Sequence, residues 1–111
     1  MKHGFVKVAA ATPDIRVADV EYNTEQICRL IDETAEEEAK VVVFPELCIT
    51  GYTCGDLFTQ DLLLENAKKG LQKIAIHTGN KDGIFFIGMP LAVDGELYNV
   101  AAAVNHGHIL G

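Results

Sequence analysis

Apolar positions along the chain follow two periods, one of strands and one of helices. Phe5 to Ala11 (FVKVAAA) reads as a buried strand, ended by Thr12-Pro13-Asp14, where proline breaks a ladder. Residues 15 to 22 carry no regular pattern. Asn23 with Gln26 three residues on resembles a capping box, which satisfies free N–H groups at a helix start. Ile27, Leu30, Ile31, Thr34, Ala35 and Ala39 then recur at spacings of three and four, predicting a helix over about 24–39 with one apolar stripe. Glu36, Glu37 and Glu38 read as a solvated face of that helix.

Val41-Val42-Val43-Phe44 is a short β-branched run of the kind buried on both faces, and Pro45 stops it. Strand, helix and strand in that order predict a right-handed βαβ unit with parallel strands, an α/β architecture. A loop over Leu47 to Phe58 leads to a second amphipathic helix over about 61–78, striped by Leu63, Ala67, Leu71, Ile74 and Ala75. Gly70 inside it costs roughly 1 kcal/mol relative to alanine. The turn Asn80-Lys81-Asp82-Gly83 precedes a third strand, Ile84 to Met89. Asp94-Gly95 signals a type I′ hairpin into a fourth strand at about 97–105. Asn105-His106-Gly107 turns again, and His108 to Gly111 opens a fifth strand that has only begun where the sequence stops. A meander left with one apolar face open to water reads as part of a larger unit. Repeats, low-complexity tracts and linkers are absent from the sequence.

Composition narrows the function classes. The 111 residues leave room for one small domain, and 49% hydrophobic with 23% charged residues is the balance of a globular chain. No apolar run approaches the ~20 residues of a membrane helix. A formal net charge of −7 disfavours binding to phosphate backbones, so no nucleic-acid or membrane partner is expected. Lys7 interrupts the opening apolar stretch, which is too short for a signal peptide. The three cysteines, Cys28, Cys48 and Cys54, form neither a disulfide framework nor a zinc pair, and reduced cytoplasmic thiols are expected.

Glu46 is the first candidate for chemistry. It stands at the carboxyl end of the second strand, where open α/β sheets place their ligand sites. Flanked by Phe44, Pro45, Leu47 and Ile49, its carboxylate is expected to be enclosed by apolar groups, and such desolvation tunes a glutamate toward a general base. The plainer alternative is a strand-end glutamate capping the following turn. Tyr52 either lines a pocket beside Glu46 or is a core aromatic. Cys48 and Cys54 are poor nucleophiles, since no Lys, Arg or His lies between positions 41 and 67 to stabilise a thiolate. His3, His77, His106 and His108 share no metal-like spacing, so no metal site is expected, and His106 and His108 read as surface turn residues. Gly51 and Gly55 lack the Gly-Lys-Ser/Thr of a phosphate loop.

At Phe44-Pro45-Glu46-Leu47, followed by Thr50-Gly51-Tyr52, the chain resembles the nitrilase (carbon–nitrogen hydrolase) superfamily. A narrower resemblance is to the amino-terminal glutaminase domain of the glutamine-dependent NAD⁺ synthetase family. It is carried by His3 to Ala9, Val17-Ala18-Asp19 with Tyr22-Asn23, Gly51-Tyr52 with Asp56-Leu57, Leu97-Tyr98-Asn99 and His106-Gly107, and it covers nearly the whole chain. The resemblance implies an α/β fold, the first half of an αββα four-layer sandwich with a mixed sheet, residues 1–111 being the truncated amino-terminal part of the domain. It implies Glu46 as the general base of a Glu–Lys–Cys triad and Tyr52 as a residue of the glutamine pocket. The triad's lysine and cysteine would lie beyond Gly111.

In that family the cysteine attacks the glutamine amide, and ammonia travels through a tunnel to a separate synthetase domain. That domain uses ATP and Mg²⁺ to amidate deamido-NAD⁺. The implied partners of the parent protein are therefore glutamine, deamido-NAD⁺ and ATP, in a cytoplasmic homo-oligomer, with no cofactor bound by these residues. A base without its nucleophile removes a proton from nothing, so these residues alone are expected to be inactive as an amidase. A free-standing nitrilase-type amidohydrolase is the nearest alternative, and a small non-catalytic α/β binding module is a third.

Overall fold

The computed structural model describes residues 7–51, 61–94 and 96–111, apart from the side chains of Asp61, Leu62 and Leu97. The readings made above for Phe5 and Val6, for Tyr52 to Phe58 and for Gly95 lie outside the described residues. The elements in chain order are β1 (Val8–Ala10), α1 (Val20–Glu36), β2 (Val41–Val43), α2 (Asp61–His77), a 3₁₀ turn (Thr78–Asn80), β3 (Ile84–Val93), β4 (Glu96–Asn105) and β5 (His108–Ile109). They build one mixed five-stranded sheet in the order β1-β2-β3-β4-β5. β1, β2 and β3 pair in parallel, and β4 and β5 are added antiparallel.

The two crossovers step in the same direction across the sheet. Right-handed connections therefore put α1 and α2 on the same face, where they pack against each other. Pleat alternation assigns Val42, Phe85, Ile87, Met89, Ala102 and Val104 to that face, and all are buried. The helices contribute Ile27, Ile31, Leu63, Ala67, Leu71, Ile74 and Ala75 to the same core. Each large side chain so buried contributes about 1.5–3 kcal/mol. The opposite face carries Val8, Ala10, Val43, Phe86 and Ala103, with Val8 67% and Val43 49% exposed. One helix layer on one sheet is half of an αββα sandwich.

Two boundaries differ from the sequence reading for a direct physical reason. α1 starts at Val20, a turn before the expected start, because its cap is Asp19, whose Oδ1 accepts the backbone N–H of Tyr22 at 3.1 Å. Asn23 is no cap; it is fully buried in the first turns of the helix. β3 runs four residues past Met89, through Pro90. Ile84, Phe86 and Gly88 turn their backbone groups toward β2, so Pro90 points its missing N–H the same way. β2 has already left the sheet there, and no ladder bond is lost. The second hairpin has a two-residue loop with positive φ at His106 (47°) and Gly107 (84°), as type I′ geometry requires, and in the first Asp94 has φ 51° between strands paired as far as Val93↔Glu96.

At Gly70, α2 packs tightly against the first turns of α1. A Cβ there would stand 2.7 Å from Thr24 Oγ1 and 2.9 Å from Val20 Cγ1, so the helix-propensity penalty is offset by close packing. Glu36, Glu37 and Glu38 are exposed as expected, but α1 ends at Glu36, so Glu37 is its C-cap and Glu38 lies beyond the helix. An ionic clip ties α1 to the end of α2: Asp32 Oδ1 meets His77 Nε2 at 2.8 Å and Lys81 Nζ at 3.1 Å.

Partial burial pushes the Asp32 carboxyl up, but hydrogen bonds and charge from Lys81 and His77 outweigh it and hold the group below the usual carboxylate value. A depressed folded-state value means stability present above the unfolded value and lost as pH falls through the folded one. Asp32→Asn should therefore flatten the acid limb of stability against pH. The change should not exceed about 1 kcal/mol, because the group is half-exposed and screened. Chemical denaturation at a series of pH values from neutral to about 3 measures it.

Candidate active site

The carboxyl ends of β1, β2 and β3 lie at one end of the sheet, together with the start of antiparallel β4. The chain leaving β2 makes its last ladder bond from Phe44 N–H to Phe86 O at 3.0 Å. It then passes over β3 at Gly88, where a Cβ would collide with Pro45 O and stand 2.6 Å from Leu47 N and 2.9 Å from the carbonyl carbon of Glu46. Only glycine permits this approach. Gly88 alternates with Phe85, Ile87 and Met89 along the pleat, so the segment carrying Glu46 crosses the face that the helices leave uncovered.

Leu47, directly after Glu46, has φ 52°, a left-handed conformation costing roughly 1–2 kcal/mol for a residue with a side chain. The strain is held by anchors on its carboxyl side. Ile49 N–H reaches Gly88 O at 3.3 Å, the Cys48 thiol donates to the same oxygen at 3.6 Å, and Cys48 and Ile49 are fully buried. Gly51 N–H closes the turn on Leu47 O at 2.6 Å. The Asn23 side chain, from α1, then joins this turn to the loop after β1. Its Nδ2 donates to Ile49 O at 2.8 Å and to Arg16 O at 2.7 Å, while its Oδ1 accepts from Arg16 N–H at 2.7 Å. Ala18 N–H adds a bond to Thr50 O at 2.8 Å.

Glu46 thus sits on a braced backbone, but its side chain is exposed in this chain. The apolar enclosure read from its neighbours does not form. Phe44 turns into the helix-side core and Ile49 is buried as an anchor, so neither covers the carboxylate. Its partner is polar: Asn99 Nδ2, on β4, donates to Glu46 Oε1 at 2.8 Å. Asn99 pairs with Pro90 across the ladder and shares its pleat face with Ala101 and Ala103. Tyr52, the second candidate, lies outside the described residues, and so does Cys54.

Asn23, Gly88 and Asn99 were not singled out as site residues by the sequence. The available signals were a glycine inside an apolar strand, which marks close backbone approach, and an asparagine inside a strand of small apolar residues, where it is disfavoured. Asn23 gave a misleading signal, since a helix cap and a long-range clamp use the same side chain.

The other polar groups resolve as structure. Burial pushes the Cys48 thiol up to about 11, and burial with the nearby Asp32 and Glu25 charges does the same to Cys28, so neither supplies a thiolate near neutral pH. His106 stands at a hairpin tip and His108 is exposed, in keeping with surface turns. Among the described residues no group of three or more His, Cys, Asp and Glu is placed to hold a metal ion, and no helix is long and apolar enough to cross a membrane. A cleft of about 530 Å³ runs between α1 and α2, lined by Glu21, Glu25, Lys69 and Lys73 among others, but it contains none of the candidate residues.

Comparison with known proteins places these features in context. The family model described as Carbon-nitrogen hydrolase matches residues 7–111. A curated glutamine-dependent NAD(+) synthetase of Mycobacterium leprae is 34% identical over 108 residues, covering 97% of this chain and 16% of its own length. The chain spans 16–19% of the curated relatives it matches. The crystal structure of a glutamine-dependent NAD(+) synthetase from Cytophaga hutchinsonii superposes with a TM-score of 0.89 at 31% identity, over 96% of this chain and 18% of that one. An amidase from Nesterenkonia sp. shares the fold at a TM-score of 0.78 and 20% identity, over 100% of this chain and 43% of that one.

Two outcomes are expected. Gly88→Ala should destabilise by about 1–3 kcal/mol, because backbone and not a movable side chain fills the space. Gly79→Ala, with nothing within 4 Å of the added carbon, is the control and should stay within about 0.5 kcal/mol of the parent. Urea denaturation compares the two. Cys48 should resist iodoacetamide at pH 7.5 under native conditions and react fully once denatured, as read by peptide mass mapping.

Proposed function

Because the chain belongs to the carbon–nitrogen hydrolase family, we propose that it carries the general base of an amide-hydrolysing site, Glu46. In this reading residues 1–111 are the amino-terminal part of a nitrilase-type glutaminase domain in a glutamine-dependent NAD⁺ synthetase. The observation that carries it is the placement of Glu46: a carboxylate at the strand end, on a braced and locally strained turn over the open face of the sheet. Support for the synthetase comes from the 31–34% identity with proteins of that name. A free-standing amidohydrolase would share the sheet, and the likeness to the amidase at 20% identity speaks to fold alone.

The chemistry follows from the residue types. The Glu46 carboxylate takes the proton of a cysteine thiol as its sulfur bonds to the side-chain amide carbon of glutamine, with a lysine stabilising the developing oxyanion. The C–N bond then breaks and the amide nitrogen leaves as ammonia, carrying the proton that Glu46 returns. Water next attacks the thioester, losing a proton to Glu46, and glutamate departs as the thiol re-forms. Lysine and cysteine come from sequence beyond Gly111. Tyr52 lines the glutamine pocket. The released ammonia amidates deamido-NAD⁺ in a second domain with ATP and Mg²⁺, in a cytoplasmic homo-oligomer.

In the full-length protein, Glu46→Gln should lower ammonia release from glutamine by at least about 10²-fold, the usual weight of a general base. NAD⁺ formation from deamido-NAD⁺ with ammonium chloride in place of glutamine should continue, since free ammonia bypasses the step. Undiminished glutamine hydrolysis by that variant would refute Glu46 as the base. The 111-residue chain alone should release no ammonia from glutamine.

A further inference from the structure

Asn99 is 53 residues from Glu46 in sequence, yet its amide meets the carboxylate at 2.8 Å. The two belong to different elements, each independently held. Asn99 lies within the β3–β4 ladder, whose pairing is continuous from Phe85↔Val104 to Val93↔Glu96. Glu46 is fixed by the crossing at Gly88, and the anchors at Cys48, Ile49 and Gly51 hold the turn that follows it. An ionised carboxylate only accepts hydrogen bonds, so the amide must present its N–H₂ side.

We propose that Asn99 is the positioning residue of the base: its donated hydrogen bond occupies Oε1 of Glu46 and turns Oε2 toward the proton it must take. This rests on Glu46 being the base. Nothing else among the described contacts orients this side chain; the braces named above act on the backbone, and an exposed glutamate has free rotamers to lose. A donor on a rigid strand removes that freedom without moving the backbone. Asn99 acts through Glu46 and does not itself exchange a proton.

The test uses the full-length protein, with ammonia release from glutamine as the readout and thermal unfolding as the check of integrity. Asn99→Asp keeps the volume of the side chain but replaces the donor by an acceptor, and Asn99→Ala removes both. Each should lower kcat about 10–100-fold with KM within about twofold and an unchanged unfolding temperature, the pattern of an interaction used in the chemical step. Asn99→Asp should be the more impaired, because a second carboxylate repels the first. Three results overturn the proposal: kcat within about twofold of the parent in both variants while Glu46→Gln is inactive; a rise in KM at constant kcat, which makes Asn99 a substrate contact; or a loss of activity that tracks a fall in unfolding temperature. Full activity of Glu46→Gln is a separate outcome that removes the base itself, and the proposal with it.

Discussion

The buried side-chain amide of Asn23 is the contact on which the rest of the site end depends. With both of its polar atoms engaged, it pairs with the N–H and C=O of Arg16 and with the C=O of Ile49, and so joins α1 to the loops that follow β1 and β2. Those loops are irregular and have no ladder of their own, so their backbone groups need partners from outside. Each buried group left unpaired would cost about 1–3 kcal/mol. A single asparagine satisfies three of them and fixes how two separate segments sit against one helix.

On that foundation the turn after β2 can hold a strained residue. Leu47 in a left-handed conformation persists because the surrounding contacts over-determine it: buried Cys48 and Ile49 behind, Gly88 beneath, Gly51 closing the turn. Strain of this kind at a strand end delivers Glu46 onto the uncovered side of the sheet while the apolar residues beside it face the helices. The parallel strands set the location, and antiparallel β4 brings Asn99 to the same end from the opposite chain direction. A hairpin therefore contributes to the proposed site, although hairpins at first sight only extend the sheet.

Much of the fold was readable from patterning. The α2 stripe Leu63, Ala67, Leu71, Ile74 and Ala75 is buried, the βαβ order gives parallel strands, β3 and β4 pair antiparallel as the Asp94-Gly95 signal implied, and the next turn forms at His106-Gly107. The errors share one cause. Immediate neighbours alone make Asn23 a local cap, end the third strand at Met89, before Pro90, and enclose Glu46 in apolar groups. In each case the deciding partner is remote: Arg16 and Ile49 for Asn23, the departure of β2 for Pro90, and Asn99 for Glu46.

Local periodicity and turn chemistry were enough to specify the elements, their order and the residues of the helix-side core, because these follow from the repeat of a helix or a strand and from the φ that a turn demands. The Phe-Pro-Glu motif at the end of a β-branched run was enough to mark Glu46. Which groups surround Glu46, which face it occupies and what it bonds to were settled only by the folded sheet. Those features depend on the missing Cβ of Gly88 and on a register that brings residue 99 beside residue 46. Contacts between distant segments carry no period along the chain, and only the tertiary arrangement makes them neighbours.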